Sequence, residues 1–205
     1  MNNDNLKVYV QNFGKLLSVE YIGIPPSAEF SYYAALSESI QKSSEFYFRD
    51  INLLGAPYDF RRAPNDNDGE FNTEMKKLIE DTYFKTGNRR VSIIGHSMGV
   101  CMMLSFFNKM PDWWKQRYIH SFMNAAAPLG GSVFWLKGLI SGTDFGYPQL
   151  SPSSFRSAFQ ISTASYLLPS ESVWLDNVVL VNDGTQSFTS KKYKDFMKSL
   201  GLDHC

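Results

Sequence analysis

The pattern of hydrophobic and polar positions changes its period several times along the chain, and each period predicts a different kind of element. Short runs of apolar and β-branched residues predict strands at residues 6–10, 51–55, 91–94, 118–125 and 178–181. Apolar residues at helical spacing predict helices over residues 28–42, 70–85, 98–108 and 191–200. Because strands and helices alternate, the chain is predicted to be an α/β protein with a largely parallel sheet.

The regular pattern loosens between residues 132 and 169, where glycine, serine and proline surround a short apolar run. We interpret approximately residues 133–175 as a cap-like insertion. Residues 1–205 suit one domain or a large piece of one.

Charge and composition exclude several classes of function. Lysine plus arginine number 20 and aspartate plus glutamate number 20, so the formal net charge is zero and no positive field favours binding of nucleic acid. The 2 cysteines and 3 histidines lack the spacing of a metal site, and no pattern indicates a cofactor. The first residues lack the features of a signal peptide, so we expect either a cytosolic protein or a chain whose true N-terminus lies upstream.

A G-x-S-x-G motif lies directly between a predicted strand and a predicted helix, at Gly95-His96-Ser97-Met98-Gly99. A serine on such a sharp turn takes a strained backbone conformation, and glycine at both flanks avoids collisions between side chains. The turn presents the Ser97 hydroxyl above the carboxyl edge of the sheet, where we predict that it is a nucleophile. The Met98 backbone N–H lies at the free start of the following helix, and we predict that it donates to an oxyanion.

A nucleophilic serine needs a general base, and that base is usually held by an acid. His96 is next to the nucleophile on a tight turn and is expected to point elsewhere. His120 follows too soon after the motif, in the next predicted strand. The remaining pair is Asp183 with His204, but nothing beyond the penultimate His204 would hold its ring in place.

Several stretches, in the same order, resemble the lecithin:cholesterol acyltransferase-like lipases, and within them the lysosomal phospholipase A2 branch. The matching blocks are residues 12–15, 18–21, 55–65, 94–99, 114–115, 118–119 and 127–132. The block at residues 55–65, with the sequence GAPYDFRRAPN, is unusually specific. The family has tryptophan where Phe60 and Leu129 stand in this chain, and we expect that difference to alter substrate preference.

The resemblance implies an α/β-hydrolase fold, with a mostly parallel sheet and helices on both faces, that is incomplete at both ends of this chain. It implies an enzyme that forms an acyl-serine from a phospholipid or another lipid ester and passes the acyl group to a lipid alcohol or to water. It also implies contact with a membrane or lipoprotein surface. A lysosomal or extracellular location is implied if a signal peptide lies upstream.

The resemblance also bears on individual residues. The catalytic aspartate and histidine of the family are expected downstream of the aligned region, so that Asp183 and His204 are not the triad partners on this alignment. Phe13 lies in a loop near the oxyanion site of such enzymes and is a candidate substrate-binding residue. Trp135, with the apolar residues around it, is a candidate for contact with acyl chains, and the alternative is that this aromatic cluster is core.

Two other functions compete with the lipid acyltransferase. A catalytically inactive remnant of a lipase would bind lipid or a partner without turnover. A small cytosolic esterase would use Asp183 and His204, and it would hydrolyse esters with this chain alone.

Overall fold

The computed structural model of the protein describes residues 10–21, 31–66, 69–144, 151, 153, 163 and 166–201. The helices in these ranges are α1 (Leu17–Glu20), α2 (Ala34–Ser43), α3 (Glu70–Lys85), α4 (Met98–Lys109), α5 (Asp112–Tyr118), α6 (Val133–Ser141) and α7 (Tyr193–Ser199). The strands are β1 (Val91–His96), β2 (Ile119–Ala125), β3 (Val179–Asn182) and β4 (Ser187–Thr189). Helices and a small parallel sheet are both present, as the hydrophobic pattern predicts.

The parallel sheet consists of β1 and β2, which are hydrogen-bonded neighbours. Parallel strands cannot be joined by a tight hairpin and need a crossover, which α4 and α5 provide here. Residues 98–107 contain no charged side chain, so α4 can be buried along much of its length. Val100, Cys101 and Phe106 on this helix are each no more than 1% exposed.

The chain divides into two compact units. The first comprises Met1–Asp59, Asn67–Ile94 and Phe106–Met123, and the second comprises Phe60–Asp66, Gly95–Ser105 and Asn124–Cys205. Residues 133–175, which the sequence predicts as an insertion, fall within the second unit, and the insertion stays a prediction.

In the first unit, α3 has the boundaries that its periodicity predicts and buries the predicted face. Phe71, Met75 and Ile79 are buried at helical spacing. α5 packs against this helix, because the Trp114 indole N–H donates to the Glu80 carboxylate at 2.7 Å. A helix with one apolar stripe is stable mainly through such packing, so the amphipathic pattern predicts it well.

The prediction of a strand at residues 51–55 is wrong. Residues 50–52 form a turn, and Leu53 makes an isolated bridge with Arg49. The Asn52 side chain accepts from the Phe48 N–H at 2.7 Å and donates to the Phe46 carbonyl at 2.7 Å, so it closes a local loop. Asparagine offers the backbone this alternative to a sheet ladder.

The helix predicted over residues 28–42 begins at Ala34 within the described part of the chain. Residues 31–33 are not helical, because Ser31 bridges Tyr21 and the Tyr32 N–H donates to the Glu20 carbonyl at 2.7 Å. Residues 28–30 lie outside the described residues, as do residues 6–9 of the first predicted strand.

α5 is a helix that the sequence analysis did not predict. Pro111 does end the preceding helical segment, but it also starts α5, and its carbonyl accepts from the Trp114 and Lys115 N–H groups at 3.0 and 3.2 Å. Proline is well suited to a helix start, because the helix needs no N–H there. Tyr118, predicted as the first residue of a strand, is instead the last residue of α5.

The second unit has a hydrophobic core formed by α6, β4 and α7. Its buried members are Leu136, Leu139, Phe188, Tyr193 and Met197. β3 and β4 form an antiparallel hairpin in which Val181 pairs with Phe188, and only the first of these two strands was predicted. Among the described residues, no helix combines the length and the apolar character needed to cross a membrane.

Candidate functional site

The central feature of the site is the turn between β1 and α4, where the sequence places the motif serine. β1 ends at His96, α4 begins at Met98, and Ser97 between them has a φ of 52°. This left-handed conformation is uncommon for a residue with a side chain and costs on the order of 1–2 kcal/mol. The strand, strained turn and helix predicted from the motif are therefore present.

Backbone hydrogen bonds hold this turn on both sides. The Ser97 N–H donates to the Ala125 carbonyl at 2.9 Å, and the Ser97 carbonyl accepts from the Val100 N–H at 3.1 Å. Ala125 is the last residue of β2, so the turn is attached to the carboxyl end of the neighbouring strand. Strained residues persist where the surrounding structure holds them, and these two hydrogen bonds hold Ser97.

Met98 is the first residue of α4, and its side chain is 7% exposed. The first N–H groups of a helix have no acceptor within the helix, and the helix dipole favours negative charge at this end. The Met98 N–H is therefore suited to donate to an oxyanion formed next to the Ser97 hydroxyl.

A turn with two adjacent glycines, residues 126–131, follows β2, and we call it the glycine turn. The sequence connected it with the site only through Leu129. Ala126 has a φ of 51°, and the Gly131 N–H donates to the Pro128 carbonyl at 3.0 Å. A Cβ on Gly130 would lie 2.5 Å from a methyl carbon of Val173. The pair of adjacent glycines was the signal available in the sequence, because it marks a place where two chain segments approach closely.

Of the two residues considered as triad partners, Asp183 lies in the described part of the chain. The Asp183 carboxylate is exposed and accepts from the Gln186 N–H at 2.8 Å and from the Thr185 N–H and hydroxyl at 2.8 and 2.7 Å. These bonds, that from the Gln186 backbone above all, lower the pKa of Asp183. His204 lies outside the described residues, so the Asp183 and His204 pair stays a prediction.

The other two histidines lie on the strands of the parallel sheet. His96 is half-buried at the end of β1, next to Ser97, and His120 is exposed on β2. No cluster of three or more histidine, cysteine, aspartate or glutamate residues that could hold a metal ion lies within the described ranges.

Phe13, the candidate substrate-binding residue of the first unit, packs on an aromatic neighbour. Its ring meets that of Phe71 edge to face, with the centroids 6.2 Å apart. The next residue is fixed as well, because the Gly14 N–H donates to the Gly55 carbonyl at 2.8 Å. This packing explains the position of Phe13, while its role in binding substrate stays a prediction.

The apolar run around Trp135 is divided between core and surface. Leu136 and Leu139, two of the apolar residues near Trp135, are buried in the core of the second unit, and Trp135 is partly buried against that core. Val133 and Phe134 are 38% and 46% exposed. The helical period explains the division, because α6 turns one face to the core. The packing favours the core alternative for Trp135.

Comparison with known proteins gives a consistent result along the chain. The model of the lecithin:cholesterol acyltransferase family matches residues 2–204. The lysosomal phospholipase A and acyltransferase of Mus musculus is 33% identical over 201 residues, which cover 98% of this chain and 48% of that protein. The Homo sapiens protein of the same name has the same identity and coverage.

A second kind of relative is also found. The phosphatidylcholine-sterol acyltransferase of Mus musculus is 32% identical over 203 residues, which cover 98% of this chain and 45% of that protein. The chain thus spans about half the length of these curated relatives. Because the family match extends over nearly all of the chain, the resemblance carried by the motifs is confirmed: the chain belongs to the lecithin:cholesterol acyltransferase family.

Proposed function

We propose that Ser97 is the nucleophile of a lipid O-acyltransferase or phospholipase. The observation that carries this proposal is the strained φ of 52° at Ser97, between the end of β1 and the start of α4. Strained residues of this kind cluster at active sites, where the surrounding structure holds them. Membership of the family supports the proposal, since the relatives above are named as acyltransferases.

The reaction we propose has two steps. The Ser97 hydroxyl gives its proton to a general base and attacks the ester carbonyl, whose oxygen becomes negatively charged and accepts from the Met98 N–H. Collapse of this intermediate releases the alcohol of the lipid, which takes up the proton, and leaves the acyl group on Ser97. A lipid alcohol or water then attacks the acyl-serine, regenerates the Ser97 hydroxyl and carries the acyl group away.

We propose that the fold is an α/β-hydrolase, in which β1 and β2 belong to a mostly parallel sheet with helices on both faces. The order of β1, strained serine turn and α4 supports this assignment, because the hydrolase fold presents its nucleophile on such a turn. The match to the family over residues 2–204 supports it as well.

The proposed substrate is a phospholipid or another lipid ester at a membrane or lipoprotein surface. Leu129, in the glycine turn, is 60% exposed, and Phe134, in the first turn of α6, is 46% exposed. Residues 124–136 carry no charge, so this part of the second unit suits contact with lipid. The same exposed residues are what favours the alternative function, a chain that binds lipid without turnover.

A serine-directed fluorophosphonate separates the two functions. We expect it to label Ser97 in the active protein, and we expect Ser97→Ala to abolish labelling. Ser92→Ala, which removes an exposed hydroxyl on β1, the strand that precedes Ser97, is the matched control and should leave labelling unchanged. Labelling that persists in Ser97→Ala would refute the assignment, and liposome binding without any labelling would favour the alternative. Because the chain spans about half the length of its relatives, both the chain and a longer form should be tested.

A further inference from the structure

The glycine turn after β2 is held by one segment of the second unit, residues 167–174, which we call the strap. Three hydrogen bonds join the two. The Ser132 N–H donates to the Leu167 carbonyl at 2.7 Å, and the Gly130 carbonyl accepts from the Ser170 N–H at 3.0 Å. The Gly130 carbonyl also accepts from the Trp174 indole N–H at 2.8 Å. Two donors on one carbonyl fix the plane of the peptide between Gly130 and Gly131.

Close packing between the turn and the strap allows little adjustment. Gly131 has a φ of 81°, and a Cβ there would overlap the Leu168 carbonyl oxygen. At Gly130 a Cβ would meet Val173. The glycine pair therefore allows the strap to approach the turn at backbone distance.

Two buried hydroxyl groups fix the strap itself. The Tyr193 hydroxyl donates to the Pro169 carbonyl at 2.9 Å, and the Ser190 hydroxyl donates to the Trp174 carbonyl at 3.1 Å. Tyr193 is 1% exposed and Ser190 is fully buried. The strap is thus held at Pro169 and at its last residue, Trp174.

The glycine turn begins next to Ala125, and the Ala125 carbonyl binds the backbone of the proposed nucleophile, Ser97. Ala125 accepts the Ser97 N–H at 2.9 Å, and the next residue, Ala126, has a φ of 51°. Two strained residues, Ser97 and Ala126, are therefore linked through one carbonyl. Each would relax to an ordinary conformation if its surroundings were free to move. The strained backbone at Ala126 therefore needs support from its surroundings. The strap holds the turn that follows Ala126.

We infer that Trp174 is a positioning residue for Ser97. Its indole N–H fixes Gly130, the fixed turn holds Ala125 and Ala126, and the Ala125 carbonyl holds the Ser97 backbone in its strained conformation. The inference rests on the proposed function for its consequence in catalysis, since a displaced Ser97 reacts more slowly. The structural part of the inference, that Trp174 holds the Ser97 backbone in place, can be tested without any reaction.

The test is amide hydrogen exchange in Trp174→Phe, which keeps an aromatic ring and removes the indole N–H. We expect the Ser97 and Ser132 amides to exchange about tenfold faster, the factor that one ordinary hydrogen bond represents. The Leu139 amide, in the core of the same unit, should be unchanged. Trp113→Phe, the same change at a tryptophan that is 63% exposed, is the matched control and should alter none of the three.

The rate of fluorophosphonate labelling is the second measurement. In Trp174→Phe the limiting rate should fall about tenfold, while the probe concentration for half-maximal rate stays unchanged, because positioning acts on reaction and not on binding. Unchanged exchange at Ser97 would overturn the inference, and so would equal acceleration at Leu139 or an unchanged labelling rate.

Ser190→Ala gives an independent test, needed if Trp174→Phe does not fold. It removes the hydroxyl that holds the Trp174 carbonyl, and we expect faster exchange at Ser132 and Ser97 without a change at Leu139. An unchanged exchange rate of the Ser97 amide in this variant would also overturn the inference. Absence of labelling in the unsubstituted protein would count against the proposed function alone, because the exchange measurement does not depend on catalysis.

Discussion

The Ser97 N–H donates to the Ala125 carbonyl at 2.9 Å, so the turn after β1 is attached to the end of β2. Ser97 and Ala126, the residue after this acceptor, have φ angles of 52° and 51°. A single hydrogen bond thus joins two strained turns at the carboxyl ends of neighbouring strands. Ligands of open α/β sheets bind outside the carboxyl ends of the strands, which is where this pair lies.

Substitution of Met98 by leucine should leave catalysis nearly unchanged. The proposed donor to the oxyanion is the backbone N–H, which every residue except proline supplies. The buried side chain is replaced by one of similar volume, so we expect the free energy of unfolding to fall by less than about 1.5 kcal/mol. The measurement is the labelling or turnover rate together with urea unfolding. A loss of about a hundredfold in rate, with folding intact, would give the side chain a role of its own.

Substitution of Gly131 by alanine should destabilise the protein more than the same change at Gly184. Both glycines have positive φ, 81° and 90°, but a Cβ on Gly184 meets nothing within 4 Å, whereas one on Gly131 overlaps the Leu168 carbonyl. We expect a loss of about 1–2 kcal/mol for Gly184→Ala from the backbone conformation alone. Gly131→Ala should lose about 3 kcal/mol or more, because overpacking is added. Equal losses in urea unfolding would mean that the turn moves freely away from the strap.

The buried carboxylate of Glu20 should make stability depend on pH. Arg49 pairs with it through two guanidinium nitrogens and Ser37 donates to it, and the Arg49 hydrogen bonds are the largest cause that lowers the pKa of Glu20 below its ordinary value of 4.5. A carboxyl whose pKa is lower in the folded state stabilises the protein above the unfolded value. This contribution is therefore lost as the pH falls below about 4.5 toward the folded value.

Thermal unfolding between pH 7 and pH 3 measures this effect. Glu20→Gln should lower the stability at pH 7 by about 1–3 kcal/mol and flatten the acid decline, because it breaks a buried and hydrogen-bonded pair. Glu38→Gln is the matched control, since Glu38 pairs with Lys42 on the surface of α2 and such pairs contribute little. A parallel decline in Glu20→Gln and the unsubstituted protein would show that Glu20 is not the group responsible.

Contact with lipid should depend on Phe134 more than on Trp135. Phe134 is 46% exposed, whereas Trp135 packs against the core of the second unit. We expect Phe134→Ser to weaken liposome binding about tenfold, because an exposed aromatic side chain adds apolar area to the contact with lipid, and to lower the melting temperature less than Trp135→Ser does. Trp135→Ser should have its larger effect on the melting temperature and its smaller effect on liposome binding. Flotation with phosphatidylcholine liposomes, paired with thermal unfolding, measures both, and the reverse order of effects would place Trp135 at the lipid surface.

Elements with one apolar face could be predicted from the sequence. α3 lies where its periodicity places it, and β1, Ser97 and α4 follow in the order that the G-x-S-x-G motif requires. Prediction was wrong at residues 51–55, where Asn52 binds the backbone locally, and it missed α5, which Pro111 starts directly after α4 ends. In both places a single residue with special hydrogen-bonding or backbone properties outweighed the local hydrophobic pattern.

The sequence by itself determined the family of this protein, its α/β class and the candidate nucleophile, because motif and period are local properties of the chain. Tertiary structure alone decided which residues meet Gly130 and Gly131, since Trp174 lies 44 positions from Gly130 along the chain. It also places Trp135 against a core whose members Phe188, Tyr193 and Met197 come from β4 and α7. No local pattern records such contacts: they depend on the folding of distant segments onto one another, which a period of 2 or 3.6 residues does not encode.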